Sequence, residues 1–236
     1  LMAWASLIAN KMRSILTMLG IIIGVAAVIA LVSIGNGVKQ DIQNSISSLG
    51  SNLLMVMPGA PRTPGVRPSP GSMKSLKVAD YEAIAKLDGV KAASPMTNGG
   101  YVVIYQNKNW TTSVSGVNAN YLDVNNWTMK SGRFLSEKNV QNRERVAVVG
   151  KTVVKNLFGD EDPVGKEIRV KNIPFRIIGV LNSKGSGAMG NDQDDMVIIP
   201  YTTAMERVDG IDYLRMIYVV GKDENGIDRL QSDIEN

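Results

Sequence analysis

Asp192, Asp194 and Asp195 place three carboxylates within four residues, and Gly185, Gly187 and Gly190 stand just ahead of them. Two chemistries use such residues. The glycine spacing is G-x-G-x-x-G, which lets backbone N–H groups at a helix start cradle a pyrophosphate. That fingerprint needs a helix after the glycines, and here an acidic run is followed by Met196–Ile199, which reads as a strand. The aspartates can hold calcium only with the full spacing of a calcium loop, which is missing, so a solvated acidic turn is the plainer reading. Residues 183–195 are therefore expected to form a flexible surface loop. Asp160, Glu161 and Asp162 make a second acidic cluster. Paired carboxylates can do acid–base work, but adjacent ones in a turn before Pro163 read as solvated.

The chain of 236 residues has no histidine and no cysteine. This excludes histidine-based triads, cysteine nucleophiles, ordinary zinc sites and a disulfide framework. No G-x-x-x-x-G-K-[ST] loop occurs, so the segment is not expected to bind ATP in that fashion. No catalytic, cofactor-binding or metal residue is assigned.

The element that dominates the chain lies near its start. Ser14 to Val38 is 25 residues without a charge. About 20 helical residues span a hydrocarbon core of roughly 30 Å. A buried soluble helix of this length would carry a polar stripe, and this one is apolar all round. A signal peptide has a shorter apolar core, and Ser33-Ile34-Gly35 is only a weak cleavage site. A retained transmembrane helix is the expectation. Lys11 and Arg13 precede it, while Lys39 after it is offset by Asp41, so the N-terminus reads as cytoplasmic and Lys11 and Arg13 as its anchors. Gly20 and Gly24, four apart on one face, are candidate packing positions against partner helices.

The net charge of +4 and the pI near 9.2 hint at nucleic acid, but the charge map argues against it. Residues 1–72 carry five basic residues and one acidic, so the remainder sums to zero. No basic patch is visible, and no nucleic-acid partner is expected.

Beyond Val38 a polar helix with Ile42, Ile46 and Leu49 on one side reads as a stalk, ended by Gly50. Asn52–Met57 reads as a buried strand. Residues 58–72 hold five of the nine prolines and read as a loop or semi-rigid linker. A helix follows at Val78–Ala85, with strands at Val90–Ala93, Tyr101–Gln106 and Thr111–Val117 around a polar turn at Asn107-Lys108-Asn109. Tyr121-Leu122 reads as a short helix or turn and Trp127–Phe134 as a loop. Arg145–Val149 is a strand before a helix at Lys151–Phe158. Glu167–Val170 and Phe175–Leu181 form a hairpin around Asn172-Ile173-Pro174. Met196–Ile199 and Tyr213–Val220 are strands, and Ile227, Leu230 and Ile234 mark a last amphipathic helix. The fold class is α+β. Its early part (strand, helix, strand) and late part (strand, helix) read as two βαβ halves, the second lacking its last strand. Residues 118–208 read as an insertion with its own core. The natural chain is expected to continue past Asn236 and to begin before Leu1.

NKMRSILTMLGIIIGVAAVIALVSIGNG resembles the first membrane helix of MacB-type permeases. LGSNLLMVMPG, GRFLSEKNVQNRERVAVVGKTVVKNLFGDEDPVGKEIRV, PFRIIGVL and DMVIIPYTTAMER follow in the same order as in that family. The resemblance implies the N-terminal half of an ABC transporter permease, with helix and stalk at 1–49. It implies a porter-like extracytoplasmic subdomain at 50–117 and 209–236, incomplete at its C-terminus, and an inserted strand-rich subdomain at 118–208. It implies mechanotransmission without catalysis in this chain, exporting drugs, peptides or lipid-linked substrates. The implied partners are the lipid bilayer, a second permease, an ABC-type ATPase carrying ATP and Mg, and a periplasmic adaptor. The implied place is the bacterial inner membrane. Two other readings remain from the residues alone. One is a single-span anchored ligand-binding sensor. The other is an anchored hydrolase, which without His or Cys would need Ser–Lys or carboxylate chemistry that no motif announces.

Overall fold

The apolar run does form one helix, α1 (Lys11–Leu49), of 39 residues. The computed structural model describes residues 11–49, 52–59, 75–187, 190–223 and 226–235. The chain divides into two units, Leu1–Ile46 and Ser47–Asn236. The proline-rich linker lies outside the described residues after Gly59.

In the second unit the elements run β1 (Leu53–Val56), α2 (Val78–Ile84), β2 (Val90–Tyr105), β3 (Lys108–Val117), α3 (Tyr121–Val124), β4 (Met129–Gly132) and α4 (Glu137–Gln141). They continue through β5 (Val146–Val149), α5 (Lys151–Leu157), β6 (Glu167–Val170), β7 (Ile173–Leu181) and β8 (Met196–Pro200). Next come α6 (Tyr201–Thr203), a π-helical segment (Ala204–Asp209), β9 (Met216–Gly221) and α7 (Ile227–Glu235). This is the expected α+β class.

Two strand systems share β2. On one side β9 lies between β1 and β2 and is antiparallel to both. β1 and β2 are therefore parallel to each other with α2 between them in sequence, which is a split βαβ unit. Alternation along β9 turns Ile217 and Val219 toward a core shared with Ile84 of α2 and Leu230 of α7.

On the other side the pairings run β2–β3, β3–β8, β8–β5, β5–β7, β7–β6 and β6–β2. They close a six-stranded barrel. Closure removes the unpaired edges that an open sheet would expose. Inward residues Val103, Ala147, Val149, Ile168, Phe175 and Ile177 fill it, and Leu157 of α5 joins the same core. The outward residues Val146, Val148 and Ile198 pack under a second layer that includes Tyr121, Trp127 and Leu135. β5 is thus buried on both faces, which its unbroken VAVV run suits. A register shift between Ala147 and Val148 opposes Ile177 and then Gly179, and Val180 returns to the barrel interior past it.

Several elements differ from the sequence reading. Val90–Ala93 and the residues from Tyr101 as far as Tyr105 are parts of one 16-residue strand, and Gln106 falls in the turn after it. The polar, glycine-containing stretch between them looks like a turn, but Ser94 and Thr97 are buried and pair with β9 and β3. The hairpin after β2 turns at Gln106-Asn107, with Tyr105 paired to Lys108 and Gln106 at φ +53. The later hairpin turns at Lys171-Asn172, both at positive φ, as a primed turn requires. The loop expected at Trp127–Phe134 contains β4, held by pairing to β7. Helix α4, with its Ser136 cap accepting from the Asn139 N–H, and the helical stretch 201–209 were not anticipated.

Candidate functional site in the apolar helix and the barrel face

Ile15–Gly37 of α1 is long and apolar enough to cross a membrane. Its described side chains are exposed, with Ile22 at 63% and Leu31 at 70%. So long an exposed apolar surface suits lipid rather than water. Every backbone group within it can bond inside the helix, and the Thr17 hydroxyl donates to the Arg13 carbonyl at 2.7 Å. Gly20 and Gly24 lie one turn apart, and a Cβ added at either would meet nothing within 4 Å. Arg13 is exposed just ahead of the apolar stretch. Lys11, Ile42, Ile46 and Leu49 belong to α1 by backbone, while their side chains lie outside the described residues.

The glycine-rich loop leads into β8, not a helix. Ser186 bridges to Asp192, and the Gly187 N–H donates to the Asn191 carbonyl. The aspartates behind it are not all solvated, which corrects the reading of this stretch as a plain acidic turn. Asp194 is buried. It accepts from the Ser183 hydroxyl and from the backbone N–H groups of Lys184 and Gly185. The carboxylate thus ties the two ends of the loop together. Asp192 accepts from the Thr152 hydroxyl at 2.6 Å and Asp195 from the Trp110 indole at 2.8 Å. In the second acidic cluster Glu161 pairs with Lys166 and accepts from the Tyr105 hydroxyl at 3.3 Å, and Asp162 accepts from the Val164 N–H. Among the described residues no three His, Cys, Asp or Glu side chains converge as metal ligands would.

A group missed in the sequence gathers beside this loop. Lys184 lies with its ammonium 4.6 Å from the centre of the Trp127 ring and donates to the Asn125 carbonyl at 2.6 Å. Burial lowers its pKa. Tyr121 and Tyr218 meet edge to face with ring centres 6.2 Å apart, and burial raises both their pKa values. These residues are scattered from 121 to 218, so no sequence spacing signals them. On other faces, burial and a hydrogen bond to Asp209 push the Tyr101 hydroxyl up to about 12, and burial pushes Tyr201 to about 12.

A family model described as the MacB-like periplasmic core domain matches residues 14–236. The chain is 45% identical over 237 residues to the macrolide export ATP-binding/permease protein MacB of Rhodospirillum rubrum, covering 100% of this chain and 36% of that relative. It is 41% identical to the protein of the same description from Bdellovibrio bacteriovorus, covering 98% and 35%. The chain therefore spans about a third of the length of the curated relatives it matches. Among solved structures, the periplasmic region of MacB from Actinobacillus actinomycetemcomitans superposes with a TM-score of 0.67 at 24% identity, covering 80% of this chain and 83% of that one. The extracellular domain of the ABC-type transporter YknZ from Gram-positive bacteria gives 0.63 at 18% identity, covering 76% and 88%. At these identities the two structures speak for the fold.

Proposed function

The chain belongs to the family of MacB-like periplasmic core domains, and from that premise we propose that it is the first membrane helix and extracytoplasmic domain of an exporting transporter. The observation that carries this reading is one continuous family match over both the exposed apolar helix and the barrel-bearing domain. The exposed 23-residue apolar stretch within that match suits a lipid environment rather than water.

On this reading the chain performs no catalysis. ATP and Mg are handled by an ABC-type ATPase on the cytoplasmic side. Its closing and opening are carried outward by α1, whose continuous helix past the apolar stretch can transmit displacement. Two copies meet through Gly20 and Gly24, where the missing side chains let helix backbones approach closely. The extracytoplasmic domains of the pair then move substrate toward an adaptor protein, and drugs, peptides or lipid-linked molecules are the substrate classes. The domain divides into a porter-like part, 50–117 with 209–236, and an inserted part, 118–208, and β2 and β3 of the first part also supply Val103, Tyr105 and Val114 to the barrel core that the inserted part shares. The membrane is the bacterial inner membrane, with Lys11 and Arg13 inside.

These 236 residues contain no cysteine, so a thiol introduced here is the only one in this chain. Met12→Cys and Asp160→Cys place single thiols at exposed positions, one ahead of the apolar stretch and one on the domain. In intact spheroplasts a membrane-impermeant maleimide is expected to label Asp160→Cys at once and Met12→Cys only after lysis. Labelling in the reverse order, or of both before lysis, overturns the orientation.

A further inference from the structure

Four neighbouring strands supply the floor of a cavity of about 290 Å³ on the outside of the sheet: Tyr218 on β9, Met96 on β2, Ser113 and Ser115 on β3, and Met196 on β8. Tyr121 and Trp127, from the segment around α3, form one wall, and Lys184, Asp192 and Asp195 of the glycine-rich loop form the other.

The charges in this cavity do not neutralise one another. Among the described residues Lys184 makes no ion pair, and neither Asp192 nor Asp195 makes one. Lys184 is held instead by a neutral carbonyl and the Trp127 face. The two carboxylates are held by a hydroxyl, an indole N–H and a backbone N–H. Charges of both signs thus stand at the rim of a partly desolvated site, each positioned by neutral partners and each with bonding capacity left. Between them lies a soft floor of two thioethers and a tyrosine ring, which adapts to an apolar side chain. Convergent polar groups around an apolar cavity are the usual make-up of a small-molecule site, and a volume near the low end of the usual range limits the ligand to a few residues' worth of atoms.

We propose that this cavity binds a small zwitterion with an apolar side chain, an α-amino acid or dipeptide in chemical class. The ligand carboxylate meets the Lys184 ammonium, the ligand ammonium meets Asp195 and Asp192, and the side chain lies on Met96, Met196 and Tyr218. The site lies within one copy of the domain and needs neither the ATPase nor a second chain. It therefore goes beyond the transporter reading and stands or falls separately from it.

Three compounds separate the two charge contacts: phenylalanine, phenylalanine amide without the carboxylate, and N-acetylphenylalanine without the ammonium. Each is titrated into the whole chain in detergent micelles, following heat and tryptophan fluorescence, since Trp127 lines the site and Trp110 donates to its Asp195. Phenylalanine is expected to bind saturably, and each singly charged analogue about tenfold or more weaker, as loss of a charged hydrogen bond implies. Lys184→Met is expected to abolish the preference for phenylalanine over the amide. Asp195→Asn, which keeps an oxygen for the Trp110 indole, is expected to abolish the preference over the N-acetyl compound. Near-UV circular dichroism identifies a variant that has lost its fold, in which case Lys184→Gln replaces Lys184→Met. The proposal is overturned if none of the compounds binds, if all three bind alike, if the amide binds best, or if folded variants titrate as the parent does.

Discussion

Phe175→Ala is expected to destabilise the domain by about 3–5 kcal/mol. Phe175 is fully buried inside the barrel, where Ala147, Ile168 and Ile177 belong to the same core. It stands on β7 opposite Ile168 of β6, the strand whose pairing to β2 closes the ring. Truncation removes most of the ring's buried surface and leaves a cavity that closed walls cannot collapse to fill. Phe175→Leu keeps much of the volume and is expected to cost about 1.5 kcal/mol or less. Urea unfolding of the chain in detergent, followed by near-UV circular dichroism, measures both. A loss below about 1 kcal/mol for Phe175→Ala, under a typical core truncation, would mean that the barrel interior is not packed as described.

Gly132→Ala carries the second large effect, by a different cause. Gly132 ends β4 at φ +71, a backbone region that costs a residue with a Cβ about 1–2 kcal/mol. The space is closed as well. An added Cβ would lie 2.3 Å from the Ile178 carbonyl oxygen and 2.7 Å from the Gly179 Cα. These are backbone atoms of β7, and the same Ile178 carbonyl accepts from the Arg133 N–H at 2.9 Å. Relief requires β4 to move off β7 and lose that bond. Strain and overpacking together are expected to remove about 2–4 kcal/mol, lowering the thermal midpoint measurably. Gly165→Ala serves as the control, because its φ is +86 but nothing lies within 4 Å of its added Cβ. It should show the conformational cost alone. Equal losses in the two variants would contradict the close approach of β4 to β7.

These two sites show what a sequence can disclose and what it cannot. GRFL and PFRIIGVL stand out as motifs, but what couples them is a pairing between residues almost fifty apart. Runs such as Val146–Val149 read as strands because β-branched residues favour a pleated, buried surface. α1 reads as a membrane helix because its uncharged length exceeds what any buried helix would need. β2 reads in sequence as two pieces because Ser94, Thr97, Asn98, Gly99 and Gly100 favour turns locally, and tertiary pairing overrides that preference. Barrel closure depends on the short β6–β2 contact at Val103 and Ile104, and no local pattern announces a contact of that kind. The candidate zwitterion site draws Tyr121, Trp127, Lys184 and Tyr218 together from three separate segments. Each alone looks like an ordinary aromatic or surface lysine. The buried role of Asp194 was hidden for the same reason, because a carboxylate that caps its own loop looks in sequence like a solvated one.

Under the proposed function, ATP hydrolysis on one side of the membrane moves this domain on the other. The most direct measurement places a spin label at Asp160→Cys in the assembled transporter containing two copies of the chain. The distance between labels is then recorded without nucleotide and with hydrolysis blocked in the ATP-bound state. A clear shift to shorter distances is expected when ATP is trapped. An unchanged distance distribution in a transporter that still turns over ATP would contradict it.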